Sequence, residues 1–264
     1  MNKTGEEPIL SLPERHNRIL ALLQQFGSIS VAQLAERFKV SEVTIRKDLS
    51  YLEQQKKLYR THGSAILISP YISDRHVNEK EKRNVAEKRA IGAFAASLIA
   101  QDDSIIIASG TTVTFLAREI NPAGHLPAIT ASVPVTQILS QCPDVDVIQL
   151  GGITRSSSVS VVGPFAEQML RSFNCSKLFI GVDGIDTEFG LTTTNMLEAS
   201  LNGAMIDAAQ KVIVLADSSK FGRRGFSKIC DLESVDRIIT DSGVQSVYLD
   251  RLRERGIEVT VVDV

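Results

Sequence analysis

Two neighbouring runs decide the reading of this chain: Ser30-Val31-Ala32-Gln33-Leu34-Ala35-Glu36-Arg37-Phe38 and, beyond Lys39, Val40-Ser41-Glu42-Val43-Thr44-Ile45-Arg46-Lys47-Asp48-Leu49. The first reads as a short helix with Ser30 as its N-cap. Val40-Ser41 then makes a tight turn, and Ser41 caps a further helix from Glu42 to about Gln55. Ile45, Leu49 and Leu52 recur at helical spacing and mark the buried stripe, while Thr44, Arg46, Lys47 and Ser50 fall on the opposite face. Upstream, Pro13 to Gln25 is helical, with Ile19, Leu22, Leu23 and Phe26 in register and Gly27 as its stop. Downstream, Leu58 to Ile68 alternates around His62-Gly63-Ser64 and reads as a small hairpin. Two short helices joined by a tight turn, the second with a basic face, form a helix-turn-helix pattern over residues 12–68. Short polar and basic side chains early on the second helix reach base edges and phosphates. Ser41, Thr44, Arg46 and Lys47 are therefore the candidate DNA contacts, with Arg60 and His62 on the wing. Composition alone favours a generic three-helix bundle with a solvated charged face.

The 264 residues are 43% hydrophobic and 23% charged, enough for one or two domains with a full core. A net charge of -2 conceals an asymmetry. Residues 1–66 hold ten Lys and Arg against seven Asp and Glu, whereas residues 67–264 hold nineteen against twenty-four. A basic head on an acidic body fits that division. Cys142, Cys175 and Cys230 are far apart, and the four histidines lack ligand spacing, which argues against a disulfide framework or a thiolate metal site; no metal or cofactor is expected. The longest apolar run, Ile91 to Ala100, is too short to span a membrane. Met1 to Leu12 lacks an apolar leader core, so a cytoplasmic location is expected.

Ser69 to Arg83 is polar and reads as a linker over 69–83; the larger domain is expected over 84–264. It opens with an amphipathic helix from Glu81 to Ala100. Strand candidates follow at 104–108, 128–130, 145–150, 177–182, 211–216, 237–240 and 258–262. Helical patterns lie between several of them, at 113–120, 133–140, 164–173, 198–209 and 244–255. Such alternation predicts a mostly parallel sheet covered on both faces, an α/β fold. Open parallel sheets bind ligands beyond the carboxyl ends of their strands. Ser109-Gly110-Thr111-Thr112, Gly151-Gly152, Asp183 and Lys220 all follow strand candidates. Residues Ser109 to Thr112 suit an anion at a helix N-terminus, Lys220 a phosphate, and Asp183 and Glu198 sugar hydroxyls. Each also has an ordinary role: a surface lysine, a turn former, a helix-start residue favoured by the dipole.

The run Val40 to Leu49 resembles the recognition helix of the DeoR family of bacterial transcription regulators. Arg60-Thr61-His62-Gly63-Ser64-Ala65 is similar to that family's wing, with Ser64 where a second glycine is usual. The body resembles the family's effector domain. The matching runs are Ser109 to Thr112, Gly151-Gly152 with Arg155, Val162-Gly163-Pro164, Gly181 to Gly184, Gly190 to Thr193, Glu198-Ala199 and Asp217 to Phe221. The resemblance covers about residues 14–264, and it departs at Ala108, where members usually carry Asp. It implies a winged helix-turn-helix and an α/β domain related in fold to ribose-5-phosphate and glucosamine-6-phosphate isomerases. It further implies operator DNA and a phosphorylated sugar as partners, with Arg155 joining the effector site, and a homodimer or homotetramer repressing a carbohydrate-use operon. Two alternatives stand beside it: an isomerase with a fused head, using Glu198 as base, and a regulator whose body senses a protein partner.

Overall fold

The computed structural model describes residues 11–26, 28–55, 57–61, 63–67 and 76–264. The chain divides into two compact units, Met1–Pro70 and Tyr71–Val264. In the first, α1 (Leu12–Phe26), β1 (Ser28–Ser30), α2 (Val31–Phe38) and α3 (Glu42–Gln54) precede a hairpin of β2 (Leu58–Thr61) and β3 (Ser64–Leu67). Ile19, Leu23, Leu34, Ile45, Leu49, Leu52 and Leu58 form its core, so the stripe expected on α3 faces inward. Strand β1 pairs with β3 and makes the hairpin a three-stranded sheet, in the order β1-β3-β2. Gly63 takes the left-handed conformation in the turn (φ 91°), so Ser64 begins β3 without that burden. His62 lies outside the described residues.

The second unit begins differently from expectation. The helix expected over Glu81–Ala100 is divided into α4 (Val77–Glu81) and α5 (Val85–Ala96). Asn84, left-handed at φ 49°, separates them; Asn tolerates that conformation better than most residues. Residues 77–81 of the stretch expected as a linker are thus helical. There follow β4 (Ile105–Ile107), α6 (Thr111–Glu119), β5 (Leu126–Thr130), α7 (Val133–Leu139), β6 (Val145–Gln149), β7 (Ile153–Arg155), β8 (Ser160–Val162), α8 (Pro164–Leu170) and β9 (Cys175–Gly181). The chain then continues through β10 (Gly184–Asp186), β11 (Gly190–Thr193), α9 (Met196–Asp207), β12 (Ala209–Leu215), β13 (Ser227–Cys230), β14 (Arg237–Asp241), α10 (Ser246–Glu254) and β15 (Glu258–Val262).

Seven of these strands, all parallel, form one sheet in the order β15-β14-β12-β9-β4-β5-β6. Each of the seven strand candidates falls on one of them. Helices α5, α6 and α7 pack on one face through Ile91, Val113, Leu116 and Val135. Helices α8, α9 and α10 pack on the other through Leu170, Leu201, Met205 and Leu252. Ile105 and Ile107 point to the first face and Ile106 to the second, which is why β4 is apolar at every position. From β4 the chain winds outward through β5 and β6, then returns to β9 on the other side. The switch in direction lies between β4 and β9, where an open α/β sheet leaves a crevice. Two small antiparallel sheets, β7-β8 and β10-β11-β13, are set beside the main one.

Candidate nucleic-acid interface and effector pocket

The helix-turn-helix is built by caps. Ser30 and Gln33 form a capping box at the start of α2. Lys39 ends α2 in the left-handed conformation. Ser41 Oγ accepts from the Thr44 backbone N–H at 3.2 Å and starts α3. Ser41, Arg46 and Lys47 are exposed, as is Val43, an apolar side chain that can meet a thymine methyl. Arg46 donates to Glu42 at 2.6 Å across one helical turn. Arg60 Nε donates to Glu53 at 2.6 Å and its Nη1 to Ser50 at 2.7 Å, which ties the wing's guanidinium back to α3. Beneath this face lies a buried triad of Arg15, His16 and Asp48. Arg15 donates to both carboxylate oxygens of Asp48, at 2.5 and 3.0 Å, and His16 Nε2 lies 3.1 Å from Oδ1. The bond to Asp48 raises the Arg15 guanidinium above its ordinary value. The triad joins residues 32 and 33 positions apart, so no local pattern announces it.

In the second unit a pocket opens at the switch point. It is lined by Ser109, Gly110, Thr111 and Thr112 after β4, by Gly181 to Asp183 after β9, and by Lys220 after β12. Gly110 sits at φ 135°, which lets the chain turn directly into α6, and no side chain caps that helix. Its first backbone N–H groups are thus left without a side-chain acceptor, an arrangement that can hold an anion. Asp183 Oδ1 accepts from Lys80 Nζ at 2.9 Å. Its Oδ2 lies within reach of the Thr193 hydroxyl at 3.1 Å and the Thr194 N–H at 3.2 Å. Burial pushes this carboxyl up, but the Lys80 and Lys220 ammonium groups and the hydrogen bonds from Lys80 and Thr193 overcome that and hold it below the usual range. The Thr193 hydroxyl is also 3.3 Å from Glu198 Oε2, and Arg155 Nη1 pairs with Glu198 Oε1 at 2.5 Å.

Seven expected residues thus share the pocket wall: Ser109, Gly110, Thr111, Thr112, Asp183, Glu198 and Lys220. Arg155 acts from outside it by fixing Glu198. Gly151 and Gly152 do not line it. They follow β6, at the edge of the sheet and two strands from β4, so their turn opens elsewhere. Gly152 meets a different need: a Cβ there would lie 2.7 Å from the Val162 carbonyl oxygen. Ala108 is fully buried in the core, its N–H bonded to the Phe179 carbonyl. Val77, Lys80, Ser157, Ser158, Thr193 and Asn202 also line the pocket. Asn202 lies one helical turn beyond Glu198 on α9, a spacing readable in the sequence. Lys80 carried no such signal.

A model of the DeoR-like helix-turn-helix domain matches residues 15–71, and one of the DeoR C-terminal sensor domain matches residues 83–242. The chain belongs to the DeoR family of transcriptional regulators. Members are regulators, not enzymes, so the isomerase alternative is set aside. This DeoR-family chain is 38% identical to the uncharacterized HTH-type transcriptional regulator YulB of Bacillus subtilis, over 94% of its own length and 96% of the relative's. It is 37% identical to a putative aga operon transcriptional repressor of Escherichia coli O157:H7, over 98% and 97%. It is 36% identical to the lactose phosphotransferase system repressor of Streptococcus mutans, over 86% and 91%. Among solved structures, ribose 5-phosphate isomerase A of Methanocaldococcus jannaschii superposes with a TM-score of 0.39 at 16% identity, over 52% of this chain and 55% of that one. The parallel sheet order itself, not that superposition, defines the α/β class of the DeoR sensor unit. Among the described residues no helix is long and apolar enough to cross a membrane. Lys80 and Val77 fall between the two matched regions.

Proposed function

We propose that this DeoR-family chain represses a carbohydrate-use operon and leaves its operator when a phosphorylated sugar or sugar derivative enters the pocket. One observation carries the reading: a single pocket combines anion donors with hydroxyl acceptors. The uncapped start of α6 and the Lys220 ammonium supply the phosphate end. Asp183 and Glu198, with Thr193 and Asn202, supply the sugar end. A carboxylate offers about four lone-pair sites, so these groups can accept ligand hydroxyls beside their present partners. The names of the aga operon and lactose system relatives are consistent with a sugar-linked signal. On the DNA side, Ser41, Thr44, Arg46 and Lys47 enter a groove, and Arg60 and His62 approach the adjacent backbone. Such heads bind paired half-sites, so the active form is a homodimer or homotetramer. Release requires that effector bind the DNA-incompetent state more tightly.

The test is fluorescence anisotropy on a DNA fragment from upstream of the chain's own operon, titrated with pentose and hexose phosphates. Wild type is expected to dissociate at one of them, while Lys220→Ala binds DNA normally and ignores it. DNA binding by wild type that no sugar phosphate alters contradicts the proposal.

A further inference from the structure

Helix α4 supplies Lys80 to the pocket, yet it has five residues and none of them is buried. Apolar packing does not hold it in place. Polar ties do: the Val77 N–H to the Ser157 carbonyl at 2.7 Å, Arg118 to Glu81 at 2.7 Å, and Asn84 Nδ2 to Asp217 at 2.9 Å. A further tie comes from below. Lys88, only 4% exposed, donates from Nζ to the carbonyls of Lys80 and Arg83, each at 2.5 Å. It stands on α5 among Ile91, Gly92 and Ala95, all buried, so its base is rigid. The ammonium sits at the C-terminal end of α4, where the helix dipole favours a cation.

We propose that Lys88 is a positioning residue of the sensor pocket: it fixes the end of α4 and thereby holds the Lys80 ammonium at Asp183, where an incoming phosphorylated sugar is read. This rests on the sugar-phosphate reading of the pocket for the identity of the ligand, but not for the clamp itself. Lys88 does not line the pocket and acts through Lys80. Burial lowers its pKa from 10.5 to about 8. Four charged groups bear on it: Asp217 and Lys220 beyond β12, Glu81 on α4 and Glu87 on its own helix. Asp217, Glu81 and Glu87 favour its charge, and Lys220 opposes it. An anion bound at Lys220 offsets that repulsion, so ligand binding favours the protonated clamp and weakens as pH rises through about 8.

The experiment uses the full chain with Lys88→Met, Lys80→Met and the double variant. Hydrogen exchange without ligand is read first: amides of residues 77–84 should exchange at least tenfold faster in Lys88→Met, with the central strands unchanged. Calorimetric titration follows with ribose 5-phosphate, glucose 6-phosphate and glucosamine 6-phosphate. Each single variant should bind the sugar phosphate at least tenfold more weakly, and the double no more weakly than Lys80→Met alone. That non-additivity marks one residue acting through the other. The loss of affinity expected of wild type between pH 7.5 and 9 should vanish in Lys88→Met. Unchanged exchange over 77–84 overturns the clamp whatever the pocket binds, and additive losses overturn its action through Lys80. If wild type binds none of the three sugars while exchange responds to Lys88→Met, the pocket's proposed ligand falls and the clamp stands.

Discussion

Each unit of this molecule pairs an aspartate with a cationic side chain, Asp48 with Arg15 and Asp183 with Lys80, and the two do different work. Asp48 in the helix-turn-helix is sealed: it is 3% exposed, and Arg15 and His16 are buried with it. Asp183 in the sensor unit faces a pocket, and its partner Lys80 stands on a helix without buried residues. A sealed carboxylate with fixed partners serves the fold, since removing one member leaves a buried uncompensated charge. A carboxylate with an open side can accept ligand hydroxyls beside its present partners. Burial of a charge therefore does not mark a binding site; an open side with lone pairs to spare does.

The largest expected effect comes from breaking the sealed member. Asp48→Ala strands Arg15 and should cost the first unit about 3–5 kcal/mol, read as a lowered melting transition and lost DNA binding. The sensor unit should be untouched. Opening the other member has a smaller and different effect. Asp183→Asn keeps shape and most hydrogen bonds and loses only the stability that the ionised carboxylate adds, while sugar-phosphate affinity falls by about 1.5–3 kcal/mol, the worth of hydrogen bonds to a charged group. A variant on the exposed face of α3 sharpens the contrast. Arg46→Ala should leave the triad and the melting temperature intact and lower operator affinity by about 1–3 kcal/mol, measured by anisotropy at fixed salt.

Acid titration separates the two aspartates most finely. Asp183 has a lowered folded pKa, so its contribution to stability is complete above the unfolded value of 3.8 and is lost as pH falls through the lower folded value. Denaturation midpoints of wild type should fall more steeply on that acid limb than those of Asp183→Asn. Equal slopes would show that Asp183 is not held ionised by Lys80 and Lys220.

How much of this was legible in the sequence follows from the range of each interaction. The main strands were readable because a parallel sheet covered on both faces demands runs such as Ile105-Ile106-Ile107. The caps Ser30 and Ser41 were readable because capping acts over three residues. Strand β1 was not, since three residues between two helices give no alternation to count. The small sheets β7-β8 and β10-β11-β13 were also missed, being short and rich in Gly, Ser and Thr. At the site, loops at strand ends led to Ser109, Asp183 and Lys220 because topology places them together. Lys80 and Lys88 escaped because their roles depend on a bond to a residue 103 positions away and on a turn at Asn84. Gly151-Gly152 was drawn into the site by its place after a strand, and only the sheet order shows that strand to be at the edge.

The most direct test of the contrast is calorimetric scanning of wild type, Asp48→Ala and Asp183→Asn, each with and without the sugar phosphate that releases DNA. A bound ligand raises the transition of the unit that holds it. The account predicts that Asp48→Ala loses stability in the first unit yet keeps the full ligand-induced rise in the second. It predicts that Asp183→Asn keeps both transitions and loses the rise. A rise of undiminished size in Asp183→Asn, or one abolished in Asp48→Ala, would contradict it.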